Sequence, residues 1–377
     1  MRWRHWATKA FFMRIFYASA SSPNPNVASN LWRNNLYQTL VEMGHEVIEF
    51  DYDLQGAFQR FFAPIEPETE ESLARLRTEL STALVEQINF HHQRKSIDLF
   101  FSYFYDCCVY PAAIDAINAL GVPTANWYCN GSYQLDLVRE ISPHYSWCLV
   151  PEKFRIKDYQ AMGAHPIYMQ EAANPNIYKP YDLAKEVDVS FVGQAYGERP
   201  EFIHFLRRQG IDVRVWGPGW EYLVDYPSRN PLRRLWKSFQ KPDGRIRFPQ
   251  AIVGGRLSDL DLVKTYSRSK VNLGFSSCGE THTEGERILQ IRLRDFEVPM
   301  SGGFYLVEYM EELEEFFEIG KEIVCCRGRE ECAEKAKYYL AHESERERIR
   351  QAGHQRCLRD HTWQRRFENA FKAMGFR

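Results

Sequence analysis

Short, almost unbroken apolar segments alternate along this chain with longer amphipathic ones. In the first half the apolar segments fall at residues 15–18, 47–50, 99–103, 124–128 and 147–150. Segments of this length predict strands that are buried on both faces. The amphipathic segments between them, at 32–43 and 68–94, have the spacing of helices. Strands that alternate with helices predict a parallel, doubly wound sheet.

The alternation starts again at Val187 and continues until the chain becomes mostly helical from Glu330. Between the two halves lies a segment with two prolines, two asparagines and no periodicity, which predicts a linker. We therefore predict this division: an N-terminal extension at 1–12, an N-terminal Rossmann-like domain at 13–172, a linker at 173–186, a C-terminal Rossmann-like domain at 187–357 and a C-terminal helix at 358–377.

Length and composition agree with two domains. A chain of 377 residues exceeds the size at which one core keeps growing, and 44% hydrophobic residues suffice for two cores. The formal net charge is −2, so no global attraction to nucleic acid or to an anionic membrane is expected. The nine cysteines lack paired zinc-type spacing, and no apolar segment approaches the roughly 20 residues that span a bilayer. These features predict a cytoplasmic protein with free, mostly buried thiols and no nucleic-acid partner.

The first candidate site is a glycine turn between a predicted strand and a predicted helix. Gly193 lies in SFVGQAYGERPEF, with Gly197 and Arg199 close behind. A glycine here lets backbone N–H groups approach a phosphate, and the helix N-terminus adds a favourable dipole. The GxGxxG fingerprint is absent, and an ordinary turn explains the glycine equally well. Arg199 either neutralises a diphosphate or is a solvated residue of the first helical turn.

The second candidate is the segment RLRDFEVPMSGGFYLVE at 292–308. Arg294 and Glu297 are three residues apart, hence neighbours on a helix, and the two glycines allow backbone to approach a ligand. A carboxylate can accept hydrogen bonds from two vicinal hydroxyls, which is the chemistry of ribose recognition. Arg294 or Arg292 either binds a diphosphate or holds Glu297 in place. The alternative is a surface Arg–Glu pair that contributes about 0.3 kcal/mol.

A third feature is a basic amphipathic helix predicted within residues 231–247. Leu232, Leu235, Trp236 and Phe239 recur at helical spacing, while arginines and lysines fill the other faces. One interpretation is a peripheral contact with an anionic membrane. The other is an apolar stripe that packs onto the domain with its cations in water.

Several segments of the C-terminal half follow one another in a characteristic order: RDFE, GGFYLVE, FFEIGKEIVCC, KYYL and HTWQRRF, preceded by VSFVGQAYGERPEFIHFL, VWGPGW and YSRSKVNLGF. This order resembles the CgeB-like (spore maturation protein type) glycosyltransferases over most of residues 185–367. That family is similar to the GT-B glycosyltransferases. The resemblance implies an α/β protein of the GT-B fold, with two facing Rossmann-like domains and a C-terminal helix that closes the pair.

The resemblance also implies transfer of a sugar from a nucleotide-diphosphate-sugar, a UDP-, GDP- or dTDP-sugar, with no metal and no further cofactor. Glu297 would hold the ribose hydroxyls as the second glutamate of the EX7E motif. Arg294 and the glycine turn would flank the donor, and Gly193 would lie under its diphosphate. The expected donor-binding residues are Gly193, Arg199, Arg292, Arg294, Glu297, Gly302 and Gly303.

One position departs from the family pattern. Leu289 stands eight residues before Glu297, where the motif has its first glutamate, and Glu284 and Glu286 are out of register. Retention or inversion of the sugar configuration therefore stays open. Two alternatives to transfer stay open as well: a nucleotide-sugar epimerase of the same fold, and a non-catalytic protein that binds sugar nucleotides.

The acceptor, which is a saccharide, a lipid-linked sugar, a protein or a small molecule, is expected in the N-terminal domain. An inverting enzyme needs a base near the acceptor hydroxyl. Side chains near predicted strand ends are candidates for it, each with a structural role as the alternative: Asp106, His144, Glu140 and Glu171. Of these we select Asp106 and His144 as candidate catalytic residues. Asn24 and Asn130 are candidates for contacts with the acceptor, although helix capping also explains Asn24.

Overall fold

The computed structural model describes residues 12–19, 30–225, 246–278 and 287–376. By internal contacts the chain divides into two compact units: a first unit of residues 1–174 and 362–377, and a second unit of residues 175–361. Some sequence-based candidates lie wholly or mostly outside the described residues: the extension at 1–12, Asn24, the basic helix at 231–247, Glu284 and Glu286.

The first unit is built on a parallel six-stranded sheet. Its strands are β1 (Arg14–Ser19), β2 (Glu46–Glu49), β3 (Leu99–Tyr103), β4 (Thr124–Trp127), β5 (Trp147–Val150) and β6 (Pro166–Tyr168). They lie in the order β2-β1-β3-β4-β5-β6, so the direction of winding reverses between β1 and β3. The doubly wound parallel sheet predicted from the apolar segments is confirmed for this unit.

Helices connect these strands. They are α1 (Gln38–Glu42), which continues a π-helical turn at Arg33–Tyr37, α2 (Leu54–Phe62), α3 (Glu70–Arg94), α4 (Pro111–Ala119), α5 (Gly131–Gln134) and α6 (Ile156–Ala161). Short 3-10 turns lie at Asp106–Cys108, Leu135–Val138, Ser142–His144 and Lys153–Arg155. The longest helix, α3, begins where the Thr69 hydroxyl accepts a hydrogen bond from the Ser72 N–H at 3.1 Å, a typical N-cap.

The second unit is built on a parallel five-stranded sheet. Its strands are β7 (Val187–Val192), β8 (Val213–Trp216), β11 (Ser269–Gly274), β12 (Tyr305–Glu308) and β13 (Val324–Cys326), and a separate parallel pair is formed by β9 (Val224–Asp225) and β10 (Phe248–Pro249). The main sheet has the order β13-β12-β11-β7-β8, so its winding reverses between β7 and β11. In such sheets ligands bind at the carboxyl ends of the strands beside the reversal.

The helices of the second unit are α7 (Arg199–Arg208), α8 (Asp259–Arg268), α9 (Leu293–Met300), α10 (Leu313–Phe316), α11 (Arg329–Ala341) and α12 (Glu343–Asp360), with 3-10 turns at Trp220–Leu223 and Gln250–Ile252. The buried core of this unit is built from apolar side chains of the sheet and of the helices that cover it, among them Val189, Leu206, Leu273 and Ala336. The hydrophobic effect, which removes these side chains from water, is the main contribution that holds such a sheet to its helices.

The last helix, α13 (Trp363–Ala373), belongs to the first unit. Thr362 caps it through a hydrogen bond from the Arg365 N–H and forms a parallel bridge with Ala173. The Trp363 ring packs edge-on against the Trp127 ring at 5.2 Å between centroids. The chain therefore leaves the first unit after Asn174 and returns to it at Thr362.

The cysteines and the lengths of the helices can be compared with what the sequence predicted. All nine cysteines are free thiols, and each of them except Cys107 is buried, so the prediction of free, mostly buried cysteines is confirmed. Within the described ranges, every helix is too short or too polar to cross a bilayer.

Candidate functional site

Three segments of the second unit meet at the carboxyl ends of β7 and β11: the loop that follows β7, the residues that follow β11, and the start of α9. The Arg292 guanidinium donates to the Ser277 carbonyl and, at 3.4 Å, to the Tyr196 hydroxyl. The Tyr196 hydroxyl in turn donates to the Ser277 carbonyl at 3.3 Å. The three segments are thus held together by one small hydrogen-bonded group.

Arg199 is a buried cation in this group, with only 4% of its surface exposed. Its Nη1 donates to the Gln194 carbonyl at 3.1 Å, and its guanidinium carbon lies 3.8 Å from the centroid of the Tyr196 ring. Its Nε has no hydrogen-bond partner among the described residues. Burial, followed by the nearby charges of Arg294 and Arg292, lowers the pKa of Arg199 to about 9. Positive charge is therefore concentrated at this site, and no carboxylate is among the main influences on the pKa of Arg199.

Gly193 follows β7 and contacts this cluster. A Cβ atom here would lie 2.7 Å from Cζ of Phe191 and 3.0 Å from Nη2 of Arg294, so only glycine leaves room for both. Its N–H donates to the Trp216 carbonyl at 2.8 Å, and its carbonyl accepts from the Trp220 indole at 2.7 Å. The glycine is brought next to Arg294 as the sequence suggested, but its own N–H is already bonded within the unit.

Glu297 lies on α9 with 5% of its surface exposed, one helical turn from Arg294. The Tyr178 hydroxyl hydrogen-bonds to the carboxylate, and Oε1 has no partner among the described residues. Burial, with smaller contributions from Asp259 and Asp295, raises its pKa to about 7 against the opposing effects of Tyr178 and Arg294. A buried carboxylate oxygen without a donor fits a ligand hydroxyl, because an unpaired buried acceptor is costly.

A second buried carboxylate supports the start of α9. Asp295 accepts the Tyr305 hydroxyl at 2.7 Å and the Arg292 N–H at 2.8 Å, which caps the helix. Burial raises its pKa to about 6. A Cβ at Gly274 would lie 2.0 Å from the Tyr305 hydroxyl, so this glycine makes the contact possible. Asp295 thus holds Arg292 and the first turn of α9 in place.

The candidate glycines 302 and 303 have neighbours within their own unit. Gly302 has a φ of +68°, and a Cβ there would lie 2.9 Å from Pro180. A Cβ at Gly303 would lie 2.7 Å from Nδ2 of Asn272 and 2.8 Å from the Val298 side chain. Packing inside the unit therefore accounts for both glycines, and neither indicates a ligand by itself.

Sequence reasoning missed several side chains of this site: Tyr178, Tyr196, Tyr266, Asp295 and Tyr305. Tyr266 lies beside Arg294, and Tyr178 comes from the segment predicted to be a linker. The one available signal was Asp295, which stands between Arg294 and Glu297 in the RDFE segment.

The candidate catalytic residues lie in the first unit, at different edges of its sheet. Asp106 follows β3, and its two carboxylate oxygens accept the N–H groups of Glu140 and Ile141, each at 3.1 Å. Burial raises its pKa. His144 precedes β5, at the edge where the strands begin, and its Nδ1 pairs with Asp115 at 2.9 Å. The structure therefore places Asp106 but not His144 at a carboxyl edge.

The other candidates of the first unit lie in segments that connect its strands and helices. Asn130 comes after β4 as the residue before α5, and its Oδ1 accepts the Tyr133 hydroxyl at 3.3 Å. Glu140 forms an ion pair with Arg77 at 2.9 Å. Glu171, after β6, is buried. In the described part of the chain there is no group of three or more His, Cys, Asp or Glu side chains that could hold a metal ion.

Residues 199–372, which include this cluster, match the family model described as Glycosyl transferase-like. Sucrose-phosphate synthase from Thermosynechococcus elongatus superposes with a TM-score of 0.59 and 13% identity, over 96% of this chain and 98% of that one. The fold is GT-B. Anabaena HepE in complex with UDP-glucose has a TM-score of 0.54 and 11% identity, over 96% and 99% of the two chains.

A glycosyltransferase from Rickettsia africae is similar to the same extent, with a TM-score of 0.55 and 10% identity over 96% of this chain and 97% of that one. No curated protein matches the sequence. At identities this low the superpositions establish the fold only, because one fold hosts many functions. The chemistry has to be argued from the residues of the site. The GT-B fold inferred from the sequence is confirmed.

In this GT-B chain the position of Leu289 is defined. Leu289 forms an antiparallel bridge with Ser277, whose carbonyl accepts the hydrogen bond from Arg292. Leu289, which the resemblance aligns with the first glutamate of the EX7E motif, therefore lies beside the arginine cluster and carries no charge.

Proposed function

We propose that the protein is a metal-independent, CgeB-like glycosyltransferase that moves a hexosyl group from a nucleotide-diphosphate-sugar to an acceptor hydroxyl. The observation that carries this proposal is the pairing of two groups at one end of the second sheet. One is the buried Arg199 beside Arg292 and Arg294, and the other is the Glu297 oxygen that has no donor in the part of the chain that the structure describes. The first suits a diphosphate and the second suits a ribose hydroxyl.

The reaction needs what these residues provide. The acceptor oxygen forms a bond to the anomeric carbon of the sugar while the bond from that carbon to the diphosphate oxygen breaks. Negative charge then grows on the leaving diphosphate, and preorganised cations stabilise it most when they are shielded from water. Arg199, Arg292 and Arg294 meet this requirement. The acceptor proton goes to a base, for which Asp106 is the candidate, or to the departing diphosphate.

UDP-glucose is the first donor to test, since HepE, which shares the fold, is complexed with it. GDP- and dTDP-sugars complete the panel. A protein of this fold that released a sugar epimer from the donor would be an epimerase. One that bound donor without turnover would be a binding protein, an outcome that the uncharged Leu289 makes worth measuring.

The decisive experiment measures UDP-glucose affinity by calorimetry for the wild type and for Glu297→Ala. Loss of hydrogen bonds to a charged group should weaken affinity by about 10- to 100-fold. Glu334→Ala, at an exposed position on α11, is the matched control and should bind like the wild type. Wild-type affinity in Glu297→Ala would show that the ribose contact is assigned to the wrong residue.

A further inference from the structure

The first unit contains a pocket of about 400 Å³ at the carboxyl end of β3. It is formed by the end of α2, the start of α3, the segment that follows β3 and the 3-10 turn at Leu135–Val138. Pockets of roughly 300–1,000 Å³ are the usual size for small-molecule sites. The carboxyl edge beside a reversal of winding is also where ligands bind in such sheets.

The walls of this pocket are mainly aromatic and aliphatic. They include Phe62, Leu73, Tyr105, Tyr110 and Leu137. The Phe62 ring is 48% exposed and packs against the Tyr105 ring at 4.8 Å between centroids. A cluster of apolar side chains that stays open to solvent in a concave site is typical of ligand binding.

Three charged side chains complete the lining: Arg77, Asp106 and Asp136. Arg77 lies with its guanidinium carbon 4.1 Å from the centroid of the Tyr110 ring, where it donates to the Val109 carbonyl at 2.8 Å. Asp106 accepts one backbone N–H on each carboxylate oxygen, and each oxygen has capacity for another donor. The pocket thus combines an apolar body with two carboxylates, of which Asp136 pairs with Arg139 at 2.7 Å and Asp106 has capacity to accept a hydroxyl.

We infer that this pocket binds the ring of an aryl acceptor, a compact aromatic compound that carries a hydroxyl, with the hydroxyl directed to Asp106. The inference rests on the proposed transferase function and adds the class of acceptor to it. A saccharide would leave most of its hydroxyls unpaired against these walls. Aromatic rings, in contrast, pack well against aromatic side chains.

The probe is 1-naphthol, and its binding to the full chain is measured by NMR line broadening and by calorimetry. Ala74 is exposed on α3 and lines the pocket, so Ala74→Trp should fill it without disturbing the core. Phe62→Ala removes one wall and should weaken binding about tenfold. Phe90→Ala is the matched control for Phe62→Ala. Phe90 is 50% exposed and lies on α3, 13 or more residues beyond the lining residues Leu73–Arg77.

We expect saturable naphthol binding in the wild type and in Phe90→Ala, and its loss in Ala74→Trp. Equal affinity in wild type and Ala74→Trp, or binding of octyl glucoside in place of naphthol, would overturn the inference. With UDP-glucose present, formation of naphthyl glucoside supports the assignment. UDP-glucose hydrolysis without any naphthyl product overturns the acceptor class alone, whereas absence of both donor binding and hydrolysis overturns the proposed function.

Discussion

Replacing Arg199 with methionine should stabilise the free protein while it weakens nucleotide binding. Arg199 is buried, and its pKa of about 9 lies well below that of an unperturbed guanidinium. A lowering of this size corresponds to at most about 5 kcal/mol of cost for keeping the charge inside the folded protein. The stacking on Tyr196 returns about 1–2 kcal/mol and the hydrogen bond to Gln194 about 1 kcal/mol.

The net cost that remains is at most about 2–3 kcal/mol, so Arg199→Met should raise the melting temperature by about 4–12 °C. The same change removes a charge-assisted hydrogen bond to the diphosphate and should weaken UDP binding by about 10- to 100-fold. The two effects have opposite signs because a buried, uncompensated cation is unfavourable until an anion binds next to it.

Differential scanning fluorimetry with and without UDP measures both effects in one experiment. At a UDP concentration of 100 times the Kd of the wild type, UDP should stabilise the wild type by about 2.7 kcal/mol. The same UDP concentration should stabilise the variant by clearly less, because its Kd is higher. Arg208→Met, at an exposed position on the same helix, is the control and should leave the melting temperature and the UDP shift unchanged. A variant that melts below the wild type and binds UDP with unchanged affinity would show that Arg199 has a structural role only.

Other predictions concern neighbouring residues. Gly193→Ala places a Cβ 3.0 Å from Nη2 of Arg294 and should cost about 1–3 kcal/mol of stability together with a loss of UDP affinity, as seen by urea titration and calorimetry. The pKa of Glu297 is about 7, so its acceptor form accumulates as pH rises through 7; UDP-glucose affinity should increase from about pH 6 to about pH 8, and Glu297→Gln should remove this dependence. Tyr305→Phe removes the hydrogen bond to Asp295 and should lower the free energy of unfolding by about 1–3 kcal/mol. The loss should be larger at about pH 8 than at about pH 5, because the pKa of Asp295 is about 6 and its charged form is the one that loses a donor. An equal loss at both pH values would contradict that assignment.

The strands were predictable because their signal is local. The apolar segments at 99–103 and 147–150 became β3 and β5 with the same bounds, since a strand buried on both faces needs apolar residues throughout its length. The position of α13 was not predictable. Phe367 packs against Phe101 at 5.5 Å between ring centroids, and nothing within HTWQRRF specifies which sheet its apolar face covers.

The site was predictable only where its residues share a helix. Arg294 and Glu297 are one turn apart on α9, so helical spacing was enough to pair them. Tyr178 and Tyr305 come from segments more than a hundred residues apart, and only folding places both near the same helix. The glycines at 302 and 303 were selected as ligand contacts, but packing against neighbouring side chains also requires glycine there. The sequence alone cannot distinguish these two reasons for a glycine.

The return of the chain to the first unit at Thr362 has a consequence for synthesis. The second unit is continuous from Pro175 to His361, so all of its residues emerge from the ribosome before α13 does. The first unit, whose core includes the fully buried Trp363 and Phe367, lacks these rings until then. We therefore expect the second unit, although its synthesis starts later, to finish folding before the first unit. The face of the first sheet that α13 covers would need protection in the meantime.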